Sequence, residues 1–447
     1  MEQTKAPLFT RRDLIRLIIP LVIEQILGVT IGMADSVMVS SVGEAAVSGV
    51  SLVDSLNILF INIFSALATG GAVIASQYIG RQDLKNACSA AKQLLYITTL
   101  IALTVMSAAL LFQRPCLSIF GKVDTDVYEN CRTYLILSAL SYPFLAAYNS
   151  GAALFRAMGN SKVSMFTSLL MNLINICGNA ITIYGLKWGV AGAAFASLVS
   201  RATGAVIMVV LLHNHNNLIH IERLLHPELR LSLIKSILKI GIPNGLENGM
   251  FQIGKILVAS LVASFGTIAI AANAVANNIS SVEVLPGSAI GLAMITVVGR
   301  CVGAEDYAQA KKYTGKLMLT TYICMGAICS VMFFLTPTAV GFFHLSEPTM
   351  KLAVEVAQSY ALWAMAIWPC SFTMPNALRA ANDVKFTMIV SIISMWVSRI
   401  GLSYVFGKWM NMGLMGVWLA MYCDWIGRTT LFLWRFFSGK WKNRQVI

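Results

Sequence analysis

Five stretches of this sequence, 93–113, 133–155, 163–186, 317–343 and 356–378, carry no charged side chain. Each exceeds the roughly 20 residues that a helix needs to cross a ~30 Å hydrocarbon core. Strand-like alternation is absent from them, and backbone groups in lipid must be satisfied within the segment, so the spans read as helices. The rest of the chain supports this reading: charged residues make up 12% of it, about half the share usual for a soluble domain. The spans fall near 14–39, 46–79, 93–113, 133–155, 163–184, 189–212, 236–264, 267–299, 317–342, 353–378, 386–406 and 413–434. The expected fold class is therefore all-α, an integral membrane protein of twelve transmembrane helices.

The net charge of +13 raises the question of nucleic acid, and its distribution answers it. Of the 33 Lys and Arg, 23 fall on one side of the spans: Lys5, Arg11, Arg12 and Arg16, then the segments 81–92, 156–162, 223–239, 300–316, 379–385 and 435–444. The other side holds Arg114, Lys122, Arg132, Lys187, Lys351 and Lys408. This is the positive-inside asymmetry, which places both termini in the cytoplasm and makes the basic charge an orientation signal. No cleavable signal peptide is expected, since the first apolar stretch is long and follows a polar, basic segment. The nine cysteines are scattered, without metal spacing. Cys116 and Cys131 flank one external loop, as a bridge or as packing thiols. His213, His215, His220 and His226 cluster between spans six and seven; without a Cys or carboxylate set they read as a solvated linker, and no metal site is expected.

An internal repeat organises the chain. At an offset of 223 residues Pro20 meets Pro243, Glu24 meets Glu247, Gly43 meets Gly266, Asp83 meets Asp306, Arg156 meets Arg379 and Lys162 meets Lys385. After one inserted residue Gly192 meets Gly416 and Ala196 meets Ala420. Six spans per half is an even number, so the halves cross in the same sense, as two pseudo-symmetric six-helix bundles in parallel repeat. The expected division is an N-lobe at 1–212, a cytoplasmic linker at 213–235 and a C-lobe with a basic tail at 236–447. Such an architecture suits alternating access, with the substrate path expected between the lobes. No phosphate-cradling Gly-rich loop with Lys and Ser/Thr is present. No cluster of nucleophile, base and metal ligands points to an enzyme, and no cofactor is implied.

Several segments resemble the multidrug and toxic compound extrusion family. Span one reads Pro20-x3-Glu24-x10-Asp35-Ser36-Val37-Met38, then Gly43; the loop after span two reads Gln77-Tyr78-Ile79-Gly80-Arg81-Gln82-Asp83; the loop after span four runs Phe155-Arg156-Ala157-Met158-Gly159-Asn160-Ser161-Lys162; span six opens Gly189-Val190-Ala191-Gly192. The likeness covers essentially the whole chain. It implies a bacterial inner-membrane antiporter that exports small organic, often cationic, compounds in exchange for H⁺ or Na⁺. The partners implied are the substrate and membrane lipid, with no nucleic acid and no required oligomer. The other readings are a lipid or lipid-linked oligosaccharide flippase of the same superfamily and, from different classes, an ion channel or a membrane enzyme. Flippases often carry more cations in the cavity; here Lys255 and Arg399 are the ones read well inside spans.

A carboxylate inside a membrane costs about 2.5–3.5 kcal/mol on insertion scales, so such groups are functional candidates. Five are read within spans one, two, seven and eight: Glu24, Asp35, Asp54, Glu247 and Glu283. Glu24 and Asp35 lie about three helical turns apart and share a face. Glu24 and Glu247 are twins, whereas Asp35 faces Val258 and Asp54 faces Asn277 in the repeat. Span five adds Asn175 and Asn179, opposite Ser398 and Leu402; span six adds Ser197, opposite Met421. The first half thus keeps a polar set that the second lacks. Carboxylate, amide and hydroxyl oxygens suit Na⁺ or a proton relay.

The resemblance places Asp35 at the span-one acid of members whose N-lobe binds the ion, Asn175 at their span-five asparagine and Ser197 where they tend to carry threonine. Asn179 departs from the aspartate that several of them carry. A branch that uses an acid in span seven is not matched, since Phe251 stands there. Asp35, Asn175, Asn179 and Ser197 are therefore the ion-coupling candidates, and Glu24, Glu247, Asp54 and Glu283 the cavity or substrate candidates. The structural alternatives are a capping role for Asp35, packing or gating for the twin glutamates, a solvated place for Asp54, a Glu283–Lys255 ion pair, interhelical bridging for Asn175, Asn179 and Ser197, and loop anchoring for Arg156 and Arg379.

Overall fold

The computed structural model describes residues 6–118, 124–222, 224, 226 and 228–443. Lys5, Lys122, Arg223 and Arg444, counted in the charge asymmetry, lie outside them. Among the described residues there is no strand, and the long helical segments number twelve. The first six are α1 (Arg11–Ser40), α2 (Glu44–Gly80), α3 (Leu84–Leu111), α4 (Thr125–Ala157), α5 (Ser161–Gly185) and α6 (Val190–Leu212). The second six are α7 (Leu231–Ala263), α8 (Thr267–Glu283 and Leu285–Gly303), α9 (Tyr307–Gly341), α10 (Glu347–Trp368, continuing to Ala380), α11 (Val384–Trp409) and α12 (Gly413–Phe437). Eight of them are long and apolar enough to cross a membrane by length and composition. In α7, one of the remaining four, Asn244, Glu247, Asn248, Gln252 and Lys255 follow one another along the helix and depress its hydropathy.

Local chemistry sets the ends, and it repeats. Thr10 and Asp13 form a capping box at the start of α1, each side chain bonded to the other's backbone N–H. Asp83 caps α3 by accepting the N–H of Asn86 at 3.1 Å, and its twin Asp306 caps α9 by accepting the N–H of Gln309 at 2.9 Å. The positive-φ positions recur in register too: Gln82 (61°) with Glu305 (55°), Gly159 (81°) with Asn382 (66°) and Lys187 (56°) with Asn411 (55°). A non-Gly residue rarely occupies this region, so the loops of the two halves share a backbone path as well as letters.

The repeat breaks in α8. Its twin α2 runs unbroken for 37 residues, whereas α8 is interrupted at Val284, where Pro286 follows. Proline lacks the N–H and clashes with the preceding turn. Both α5 and α11 end in π-helical turns, at Ala180–Gly185 and from Met395 on, a feature frequent at functional sites.

The chain forms two compact units, one of them Phe9–Gly245 and the other beginning at Leu246. The division falls inside α7 rather than in the segment before it. The start of α7 packs on α2, where glycines let the backbones meet: a Cβ on Gly70 would stand 2.7 Å from the carbonyl of Ile237. The connecting segment is also tied down, since Tyr96 OH donates to the Leu224 carbonyl at 2.6 Å and Gln93 donates to that of Glu228 at 2.8 Å. In the first unit α4 sits centrally, against α2, α3 and α6, while α1 packs on α5. Tyr142, Phe64 and Ala139 are fully buried there.

Candidate functional site

The four ion-coupling candidates come together in the first unit as one hydrogen-bonded chain. Asn179 Nδ2 donates to Asp35 Oδ1 at 2.6 Å and to Asn175 Oδ1 at 3.3 Å, and Asn175 Nδ2 donates to Ser197 Oγ at 2.9 Å. The set draws on α1, α5 and α6. Asn175 and Asn179, one helical turn apart, share a face of α5 and are buried. Asn179 Oδ1 is buried and accepts no hydrogen bond among the described residues, a deficit that costs roughly 1–3 kcal/mol unless something fills it.

Asp54 belongs to the same place. It accepts from Asn57 Nδ2 and from Tyr134 OH, both at 3.1 Å, and Asn57 Oδ1 takes the Tyr142 hydroxyl at 2.8 Å. Asp35, Asp54, Asn57, Tyr134, Ser197 and Arg201 all line one cavity of about 480 Å³, within the size range of small-molecule sites. Arg201, in α6, was missed among the intramembrane cations; its Nη1 donates to Ser141 Oγ at 2.7 Å. Its place inside span six was the available signal. Two carboxylates and one guanidinium leave this cavity with an acidic excess.

Glu24 and Glu247, read as cavity acids, are each committed to an arginine of their own unit. Arg156 Nη1 meets Glu24 Oε1 at 3.1 Å, and Ser164 Oγ donates to the other oxygen at 2.7 Å. Arg379 Nη2 meets Glu247 Oε1 at 2.7 Å. Both pairs obey the repeat offset, which paired the four residues in sequence without joining acid to base. Arg156 and Arg379, expected to anchor loops, are thus ion-pair partners. Glu247 also lines a cavity of about 160 Å³, with Phe251 and Arg428.

Three further expectations are corrected. Glu283 does not pair with Lys255: it is fully buried at the end of the first part of α8, against the thiol of Cys329. Lys255 lines a different cavity, with Arg399. The span-located acids omitted Asp424, which is fully buried in α12 and ion-paired to Arg428 at 2.9 Å; spacing of four on one helix carried that signal. The linker histidines do have a carboxylate, since Glu222 Oε1 lies 3.5 Å from His215 Nδ1 and 3.4 Å from His220 Nε2. Ligand atoms of the three lie within 4.8 Å of one another, an arrangement able to hold a metal ion. Cys116 and Cys131 are both free thiols, and Cys131 donates to the Gly49 carbonyl.

A helical membrane protein built twice from a six-span unit, with ionisable groups gathered inside the spans, has the architecture of a secondary transporter. The MatE family profile matches residues 20–181 and 243–405, two copies at the offset seen above, and the chain belongs to that family of membrane transporters. The chain is 28% identical to the "Probable multidrug resistance protein NorM" of Thermotoga maritima, over 98% of this chain and 94% of that one. It is likewise 28% identical to the "Uncharacterized transporter YisQ" of Bacillus subtilis, over 96% and 93%. Among solved structures, the outward-facing conformation of a multidrug resistance MATE family transporter of the MOP superfamily superimposes with a TM-score of 0.90 at 20% identity, over 97% of this chain and 96% of that one. The twelve-helix, two-lobe fold is shared.

Proposed function

We propose that this protein is a secondary antiporter that exports small organic cations by alternating access, in exchange for H⁺ or Na⁺, and that the first unit carries the coupling ion. The observation that carries this reading is the Asp35–Asn179–Asn175–Ser197 chain at the wall of an acidic cavity. A single intramembrane carboxylate gives the ion a charge to bind. Asn179 Oδ1, buried without a donor among the described residues, is a further oxygen for it. A hard cation takes oxygen ligands of this kind; a proton needs the carboxylate alone, with Asn179 as its hydrogen-bonded neighbour. Asp54, held by Asn57 and Tyr134, adds attraction for a cationic substrate in the same cavity. Ion and substrate then compete for one negative field, which links the binding of one to the release of the other.

The same reading makes the protein a transporter and not an enzyme, resident in the bacterial inner membrane with both termini cytoplasmic. Its relatives' names include multidrug resistance proteins, which agrees with a substrate chosen by charge and apolar bulk. Purified protein in liposomes, loaded with a fluorescent cationic dye and given a Na⁺ or H⁺ gradient, tests it. The expected result is gradient-driven dye movement in the wild type that Asp35→Asn abolishes while dye binding persists. Dye movement that ignores both gradients would refute antiport.

A further inference from the structure

The cavity of the second unit occupies the place of the first unit's acidic cavity, with the sign of its charge reversed. At the repeat offset, Asp35 becomes Val258, Asp54 becomes Asn277, Ser197 becomes Met421 and Gly32 becomes Lys255, and the four replacements line one cavity of about 360 Å³. Arg399, whose twin is Ile176, enters the same cavity from α11. We propose that this cavity is a binding site for an organic anion, a carboxylate or sulfonate on an apolar body, with Lys255 and Arg399 as its charge partners.

Neither cation forms a close ion pair with a carboxylate among the described residues; Asp424, already paired to Arg428, attracts Arg399 only from beyond ion-pair distance. Arg399 donates from Nη2 to the Met421 sulfur, a weak acceptor, and its Nε is buried without a hydrogen bond. Lys255 is exposed to the cavity. The acids of this unit are engaged elsewhere: Asp424 takes Arg428 and Ser394, Glu247 takes Arg379, and Glu283 lies against Cys329. Two cations in membrane-spanning helices without an ion-pair partner of their own are costly. A ligand's anionic group lowers that cost, and a bidentate guanidinium contact favours a planar carboxylate or a sulfonate.

Phe251 holds the cations in place without neutralising them. Lys255 Nζ lies 5.7 Å and Arg399 Cζ 5.3 Å from its ring centroid, within cation–π range. Neutral donors complete the wall. Trp418 Nε1 donates to Asn273 Oδ1 at 3.0 Å, which fixes that amide and leaves its N–H groups as donors. Trp418, Val417 and Ile256 supply apolar surface for the ligand's body.

Fluorescence titration of the full-length protein in detergent tests this, with dansylglycine as the anionic probe and its uncharged methyl ester as the matched control. The wild type should bind the acid at least about tenfold more tightly than the ester, the scale of one charge-assisted hydrogen bond. Arg399→Gln and Lys255→Gln should each remove most of that preference, and Arg399→Lys should restore part of it relative to Arg399→Gln. Should Arg399→Gln fail to fold, Lys255→Gln, exposed in the cavity, carries the test alone. Equal affinity for acid and ester would overturn the proposal, as would an unchanged preference in Lys255→Gln. Complete displacement of the probe by excess chloride would also overturn it, by reducing the site to a halide site.

Discussion

The two halves of this chain start from one plan and diverge where charge meets the cavity. In the first unit, Asp35 and Asp54 face the space with one arginine; in the second, those positions hold Val258 and Asn277, and the charge comes from Lys255 and Arg399. What stays common is informative by contrast. The Glu24–Arg156 and Glu247–Arg379 pairs, the Asp83 and Asp306 caps and the positive-φ loop positions are duplicated. Duplicated features are those that any six-helix unit needs to fold and pack. Among features found once, an acid without an ion-pair partner among the described residues, as Asp35 is, is the kind the proposed coupling needs, whereas the Asp424–Arg428 pair is found once and closed on itself. The difference therefore sorts structural acids from coupling acids more sharply than burial does, since buried Glu247 and Asp424 are both ion-paired.

The largest expected effect comes from removing Asp35, an acid whose counterpart in the second unit is Val258. Asp35→Asn keeps the size and most of the hydrogen bonding but deletes the titratable charge, so gradient-driven efflux should fall to background in vesicles while the protein reaches the membrane at near-normal levels. Next comes a charge pair that the second unit holds alone. Asp424→Asn leaves Arg428 buried without its counter-charge, and breaking such a pair costs about 3–5 kcal/mol. Thermal unfolding in detergent should show a clear drop in midpoint, and its absence would mean that Arg428 has another anion.

The twin pairs sharpen the comparison. Glu24→Gln and Glu247→Gln should lower the midpoint by similar amounts, because each removes the carboxylate that an arginine faces in the same kind of place; Arg156→Met and Arg379→Met should lower it comparably. If one Glu→Gln variant kept full stability but lost transport, that twin would belong with the coupling acids. The smallest effects belong to the neutral end of the chain. Ser197→Ala removes one hydrogen bond of this chain and Asn175→Ala two, each worth about 0.5–1.5 kcal/mol, so the ion concentration for half-maximal efflux should rise several-fold with transport retained.

Much of this was legible in the letters. Twelve spans, their loops and the two-fold repeat follow from uncharged runs and one offset, because lipid imposes length and polarity on every span. The polar set in the first half was legible as well, since intramembrane Asp35 and the amides on α5 stand out against an apolar background. Hydrogen-bond partners were less so. Arg201 sits inside a span, and weighing carboxylates first passes over it; Asp424 was within reach of the same reading, through its spacing of four from Arg428. The partner of Glu24 lies 132 residues away, and periodicity on one helix says nothing about which neighbouring helix faces it. Glu283 and Lys255 illustrate the opposite error: Lys255 shares the face of Glu247 on α7, which suggested the pair, but Glu283 lies against Cys329 and Lys255 lines a cavity that Glu283 does not.

The most direct test of the central claim, that coupling resides in the first unit alone, compares Asp35→Asn with Glu283→Gln and Glu247→Gln in the same liposome assay. A cationic dye is followed under separately imposed Na⁺ and H⁺ gradients, at matched protein amounts confirmed to be folded. The account predicts no gradient-driven movement for Asp35→Asn and retained ion dependence for both second-unit variants. Full dye movement in Asp35→Asn, together with loss in Glu283→Gln or Glu247→Gln, would contradict it and assign coupling to the second unit.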